Sequence, residues 1–496
     1  MNTSDYLLAN SDDSSIAIIE TTHAYTYGEL KAAAARVAGE LAGRNLARGD
    51  RIGIVGGNSL FWAASYLAIM KMGFVAVPFA LTLTGDNASR NAKWADCRAI
   101  LMDRRQKRQF MAAFGESIPL IYDDVLSVPG ESRWPAPDPL FSPDTDAALM
   151  FTSGTTAMPK AVRITHSNIQ ANTDSIVEYL SLTGTDRMLV ILPFFYCFGT
   201  SLLHTHLRVG GSLALCNSFT FPETALNMME THECTGFAGV PSSYQLLLRI
   251  SSFKERKLPR LRLMQQAGGK LHSVLIEELL ESKPNVEVFV MYGQTEATAR
   301  LSYLPPAQIR DKLGSIGKGI PGVSLRVLDE SGAPVKPGAV GEIFARGKNI
   351  SPGYLNDPEA TASKFMAGEL RTGDLATVDD EGYIFVVDRK DDFIKSWGYR
   401  VSSQEVESCV LGIRDIVSAA AVGVPDLAAG ESIHVFVTVR PDAAVVPEAV
   451  IEHCHANLGK HMVPEAVHVI KSMPLNSNGK VVKNELRKMA AAETAT

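Results

Sequence analysis

An apolar run, Ala147 to Phe151, ends abruptly in Thr152-Ser-Gly-Thr-Thr-Ala-Met-Pro-Lys160, and few folds have a use for such a junction. The run reads as a buried strand. Four hydroxyl residues, Thr152, Ser153, Thr155 and Thr156, surround Gly154, and Pro159 and Lys160 close the stretch. Short hydroxyls and free backbone N–H groups suit a phosphate. Glycine lets the backbone come close, and lysine adds a point charge. The common nucleotide loop is excluded, because it needs Ser or Thr after its lysine and Ala161 follows Lys160. Alone, the stretch fits a phosphate cradle and a plain surface turn equally well.

At 496 residues the chain is too long for one simple core, so two or more domains are expected. With 46% hydrophobic and 21% charged residues it reads as an ordinary globular protein. A net charge of −6 gives no basic footprint for nucleic acid. The six cysteines show no paired spacing, which fits a reducing cytoplasm better than a disulfide framework. The N-terminal residues lack a basic start and an apolar core, so no secretory signal is expected. No run reaches the roughly 18 apolar residues of a membrane helix. A cytoplasmic location is the expectation.

Thr26 and Glu29 form a capping-box pattern that opens an alanine-rich helix to about Ala42. Arg51 to Val55 reads as a strand, Ser59 to Lys71 as a helix capped by Asn58, and Phe74 to Val77 as the next strand. This alternation predicts a parallel sheet with covering helices. Further strands are expected at Leu189 to Leu192, Phe237 to Val240 and Val288 to Met291, in a second α/β system. From Gly314 to Gly341, glycine and proline punctuate short apolar runs, which predicts a small antiparallel sheet or barrel. Helix and strand then alternate again over the last hundred or so residues. The boundaries drawn are a large domain over 1–388, a hinge at 389–391 and a small domain over 392–496. The fold class is therefore α/β and α+β multidomain: two α/β subdomains and a small β-barrel-like subdomain, followed by a small mobile α+β domain.

Other motifs carry chemistry. Tyr292-Gly-Gln-Thr-Glu296 follows an apolar strand and places an aromatic, a hydroxyl and a carboxylate together. An aromatic can stack on a base and a carboxylate can hold Mg²⁺ against phosphates. Taken alone it reads more readily as a strand end with a capping carboxylate. Asp374 would by itself be a turn residue, and Gly479-Lys480 a surface turn. His453 and His455 lie two apart on a predicted helix and point to different faces, so they make a poor metal pair. Ser153 lacks the Gly-x-Ser-x-Gly setting of a nucleophile.

The ordered set resembles the acyl-adenylating, AMP-forming superfamily, which holds acyl-CoA synthetases, peptide-synthetase adenylation domains and firefly luciferases. The resemblance runs from Thr26 to Lys480, with Ala157 and Ala161 where the superfamily usually has glycine. It implies ATP and Mg²⁺ as cofactors. Thr152, Ser153, Gly154, Thr155, Thr156 and Lys160 would hold phosphate, and Gly269 and Lys270 would lie in the loop past adenine. Tyr292 would pack on adenine, Thr295 would meet phosphate and Glu296 would serve the metal. Asp374 would hold the ribose, and Arg389 ribose or phosphate. Asp391 would be the hinge, Gly398 would line the thiol channel and Arg400 would meet phosphate. Lys480 would stabilise charge on the reacting carboxylate and α-phosphate. Trp397 departs from the small or polar residues common before that glycine.

The acid pocket is implied at Phe195, Tyr196, Phe237, Ala238 and Gly293. No aspartate stands between Pro193 and Thr200 to hold an ammonium. A buried cation without a carboxylate is costly, which favours a fatty or aryl acid over an amino acid. The expected reaction joins the acid to the thiol of coenzyme A. The alternative acceptor is the phosphopantetheine of a separate carrier protein. A non-catalytic nucleotide-binding scaffold is the reading from a different class, opposed by the intact Thr295, Glu296, Asp374 and Lys480.

Overall fold

The computed structural model describes residues 1–114, 118–128, 133–152, 160–389, 393–476 and 478–494. Thr26 caps the helix Tyr27–Ala42 as the sequence predicts: its hydroxyl accepts from Glu29 N at 3.2 Å, and Glu29 Oε2 accepts from Thr26 N at 2.8 Å. The neighbouring helix, Leu60–Lys71, is buried on almost every side, the expected state of a helix apolar all round. Its cap is Ser59, which accepts from Trp62 N at 3.1 Å, and not Asn58. Asn58 is engaged elsewhere: it donates to Leu192 O at 2.9 Å and accepts from Phe194 N at 2.8 Å. It thereby ties the first α/β layer to the segment that leads into Tyr196.

The first sheet has six strands in the order Leu120–Tyr122, Cys97–Met102, Arg51–Val55, Val75–Pro78, Asp146–Phe151, Ala161–Thr165. Its pairs are parallel except the last, an antiparallel pair that brackets the hydroxyl-rich stretch. The second sheet has nine strands, and the strands at its centre, Arg187–Val190, Gly236–Gly239, Leu263–Gln266 and Glu287–Tyr292, run parallel. At its far edge sits the chain's first hairpin, Ile16–Ile19 with Ala24–Thr26, which pairs with Ser212–Leu215. The two α/β systems are thus interleaved in sequence, not consecutive.

A five-stranded antiparallel sheet follows, built on Val323–Leu328, Gly341–Gly347 and Glu369–Val378, with Ile384–Arg389 added to the last of these. Beyond it lies the small α+β domain, a five-stranded sheet centred on Gly430–Val439 with the helices Ser403–Leu411 and Pro447–Asn457. One continuous apolar core joins Leu275 and Ile276 of the large domain to Val406 and Val410 of the small one. Arg249 reinforces the junction, donating to Arg414 O at 2.6 Å and pairing with Glu278 at 2.5 Å. Asp391 and residues 153–159 lie outside the described residues. Among those described, no helix is long and apolar enough to cross a membrane.

Candidate active site

The C-terminal ends of the central parallel strands open toward one place, where open α/β sheets bind ligands. Glu287–Tyr292 delivers the glutamate motif there. Tyr292 donates its hydroxyl to Asp374 Oδ2 at 2.5 Å, and Gln294 Nε2 donates to the same oxygen at 2.7 Å. Asp374 is buried, and Arg389 lies opposite it in strand register. The Tyr292 ring is therefore fixed beside the carboxylate assigned to ribose. Glu296 accepts from the Tyr354 hydroxyl at 2.7 Å, and Lys160 Nζ stands 4.9 Å above that ring. Burial, with the Glu296 carboxylate beside it, holds the Tyr354 phenol well above its ordinary range. The ends of the hydroxyl-rich stretch are closed by Thr152 N donating to Lys160 O at 2.9 Å. This sets Lys160, Tyr354 and Glu296 on one side of the site.

Lys480 reaches this place from the small domain. Asn476 Oδ1 accepts from Asn478 N at 2.9 Å and Lys480 N at 3.0 Å, and Gly479 takes a left-handed φ of +75°. Ser242 of the large domain pins the turn by donating to Gly479 O at 2.8 Å. A Cβ placed on Gly268 would stand 3.0 Å from the Tyr196 hydroxyl and 3.8 Å from Lys480 Cε, so this glycine lets both side chains meet the backbone. Thr295 Oγ1 lies 3.5 Å from Cys197 Sγ. Burial pushes the Cys197 thiol up, with Thr295, Lys480 and Arg300 pulling the other way.

Tyr196, Ala238, Val240 and Ala267 share one core face near this point, with Phe195 packed against it. Phe237 does not join them. It points to the opposite face of the sheet, against Phe219 and Tyr244. Strand alternation separates it from Ala238, which removes it from the pocket wall. Gly293 serves close backbone approach, since a Cβ there would fall 1.9 Å from Ala299 O. A Cβ on Gly269 would stand 3.2 Å from Pro241 Cγ, and Lys270 lies near carboxylates of the small domain. Its amine is pulled down by burial and partly restored by Asp388, Glu405 and Glu407. Gly398 and Arg400 sit on an exposed hairpin between Ile394–Ser396 and Tyr399–Val401. Trp397 is 62% exposed there.

Four contributors escape sequence reasoning: Tyr354, Gln294, Gly268 and Asn476. Gln294 sits inside the recognised motif and Gly268 beside a recognised residue. Tyr354 acts from 58 residues away, and no local pattern announces it.

The chain belongs to the AMP-binding enzymes. It matches that family over residues 9–355 and the AMP-binding enzyme C-terminal domain over residues 405–480. A feruloyl-CoA synthase of an Amycolatopsis species is 30% identical over 94% of each chain. The o-succinylbenzoate coenzyme A synthetase of Bacillus subtilis, solved with ATP and a magnesium ion, is 28% identical. It covers 97% of this chain and 99% of its own, with a TM-score of 0.85. An anthranilate CoA ligase solved with anthranoyl-AMP shares the fold, with a TM-score of 0.92 at 23% identity over 100% of this chain and 98% of its own. The protein is an AMP-forming acyl-CoA ligase, a large adenylating domain followed by a small C-terminal domain.

Proposed function

We propose that this ligase activates a fatty or aryl carboxylic acid and passes the acyl group to coenzyme A in the cytoplasm. A carboxylate oxygen attacks the α-phosphorus of ATP, the bond to the β-phosphate breaks, and pyrophosphate leaves. The thiol then attacks the acyl carbon, the carbon–oxygen bond breaks, and AMP leaves with the acid's oxygen. Positioning and charge neutralisation carry both steps.

One observation supports this reading: Lys480 of the small domain and Tyr196 both reach the backbone of Gly268 at the strand ends. There its ammonium faces the reacting carboxylate and the α-phosphate. Tyr292 offers its face to adenine, Asp374 accepts ribose hydroxyls, and Thr295 and Lys160 meet phosphate. Glu296 fits Mg²⁺, because that ion takes one or two carboxylates and completes its shell with phosphates and water. Bound there, the ion would neutralise phosphate charge. Rotation of the small domain about Asp391 withdraws Lys480 and brings the Trp397–Arg400 hairpin to the thiol. Coenzyme A is preferred over a carrier protein because the relatives are named as CoA ligases.

The test is acid-dependent pyrophosphate release over fatty, aryl and amino acids, with and without coenzyme A. Fatty or aryl acids should give release and an acyl-CoA product. Release without thioester would point to a carrier protein, and release with amino acids alone would refute the pocket assignment.

A further inference from the structure

Arg300 is 1% exposed, yet among the described residues it forms no ion pair. Its backbone is fixed, because its carbonyl accepts from Asn172 at 3.1 Å and Asn349 at 2.8 Å. Its guanidinium lies 3.9 Å over the Phe198 ring, with the Tyr179 hydroxyl beside it, and its Nε meets the Met291 thioether at 3.4 Å. Its Nη2 is buried without a hydrogen-bond partner. The Tyr179 hydroxyl gives its proton to the same sulfur, at 3.0 Å. Among the described residues no carboxylate pairs with Arg300. Arg249 shows how this chain treats a buried arginine whose role is structural. There the Glu278 carboxylate lies 2.5 Å from Nη2, and the Arg414 and Leu411 carbonyls accept from Nη1 and Nη2, although Nε has no partner among the described residues. Arginine stays charged, thioethers accept weakly, and an unmatched buried cation is costly.

The guanidinium stands beside the site, because the Phe198 ring that it covers follows Cys197 in the chain. Its field reaches Cys197, which is 3.5 Å from Thr295 and also feels Lys480 and Glu296. A small cavity of about 10 Å³ lies next to Cys197 and Ala299, the residue before Arg300, and extends to Tyr66, Ile164 and His204. Thr298 there holds a φ of +67°, a conformation that side chains avoid and that tends to mark functional walls.

We propose that Arg300 is the counter-ion for a second carboxylate, so that the preferred substrate is a fatty or aryl diacid. One carboxylate reacts at Lys480, and the other pairs with the Arg300 fork. This inference rests on the ligase reading above and narrows its acid. It also explains how an ammonium-bearing tail is rejected, since it would bring like charge to a buried guanidinium.

The test measures pyrophosphate release by the full chain with matched acids: adipate against hexanoate and monomethyl adipate, and isophthalate against benzoate. The diacid of at least one set should lead its partners by about 100-fold in kcat/KM, the scale of an unmatched buried charge. Arg300→Met should erase that lead while leaving the KM for ATP unchanged, which separates acid recognition from phosphate recognition. Arg300→Lys should keep part of it, a point charge replacing a fork. Because Arg300→Met could misfold, its thermal transition is measured alongside, and the wild-type comparison stands without it. Equal or better turnover of the monoacids by the wild type overturns the proposal and leaves the ligase reading intact. Pyrophosphate release with none of these acids removes both.

Discussion

Replacing Lys480 by alanine should separate the two half-reactions. The lysine stands on a turn that Asn476 and Ser242 hold independently of its side chain. Truncation therefore removes the ammonium and leaves the small domain docked by Arg249 and the shared apolar core. Loss of one preorganised donor costs about 2.7–4 kcal/mol, or about 10²–10³ in rate. That loss should fall on adenylation, followed as acid-dependent exchange of labelled pyrophosphate into ATP. Thioester formation from a pre-made acyl-adenylate and coenzyme A should stay within about threefold of wild type, because the proposed rotation withdraws the lysine from that step. An equal loss in both steps, or a loss below about tenfold in the first, would refute the reasoning.

Asn476→Ala removes the acceptor for two backbone N–H groups and should slow adenylation about tenfold with the KM for ATP unchanged, read by the same exchange assay. Trp397 holds a φ of +52° while largely exposed, so Trp397→Gly should stabilise the protein by about 1 kcal/mol in urea titration. The same variant should change the KM for coenzyme A and leave pyrophosphate exchange alone. Burial depresses His166, His204 and His272 to about 3 and His206 to about 4. Each must fold neutral, so stability is complete above the unfolded value of about 6.5 and falls as pH drops below it. Near pH 5.5 each histidine should remove about 1 kcal/mol, measured as the urea midpoint against pH. Gly293→Ala should cost several kcal/mol or abolish folding, because its Cβ would fall 1.9 Å from Ala299 O.

What is legible in the chain is local. The Thr26–Glu29 capping box, the strand feeding Thr152 and the motif around Tyr292 follow from neighbours in sequence, and the structure has these elements where the residues imply them. The helix cap shifts by one residue because Asn58 and Ser59 are both good caps, and a partner 134 residues away claims Asn58. The placement of the first hairpin beside Ser212–Leu215 has no local signal at all. Residue type alone suits Phe237 to an apolar pocket, and only the strand's pleat shows which face it takes. Tyr354 and Arg300 escape sequence reasoning for one reason: their meaning lies in what surrounds them after folding. Tyr354 meets Glu296 across the site, and among the described residues Arg300 meets no carboxylate at all.

The central claim is that the acid is carried through an adenylate, and the path of its oxygen tests this most directly. An accepted acid labelled with oxygen-18 in its carboxyl group is converted with ATP and coenzyme A, and the products are weighed by mass spectrometry. The account predicts one labelled oxygen in AMP and none in pyrophosphate. Label in pyrophosphate or phosphate, or ADP as the nucleotide product, would contradict it.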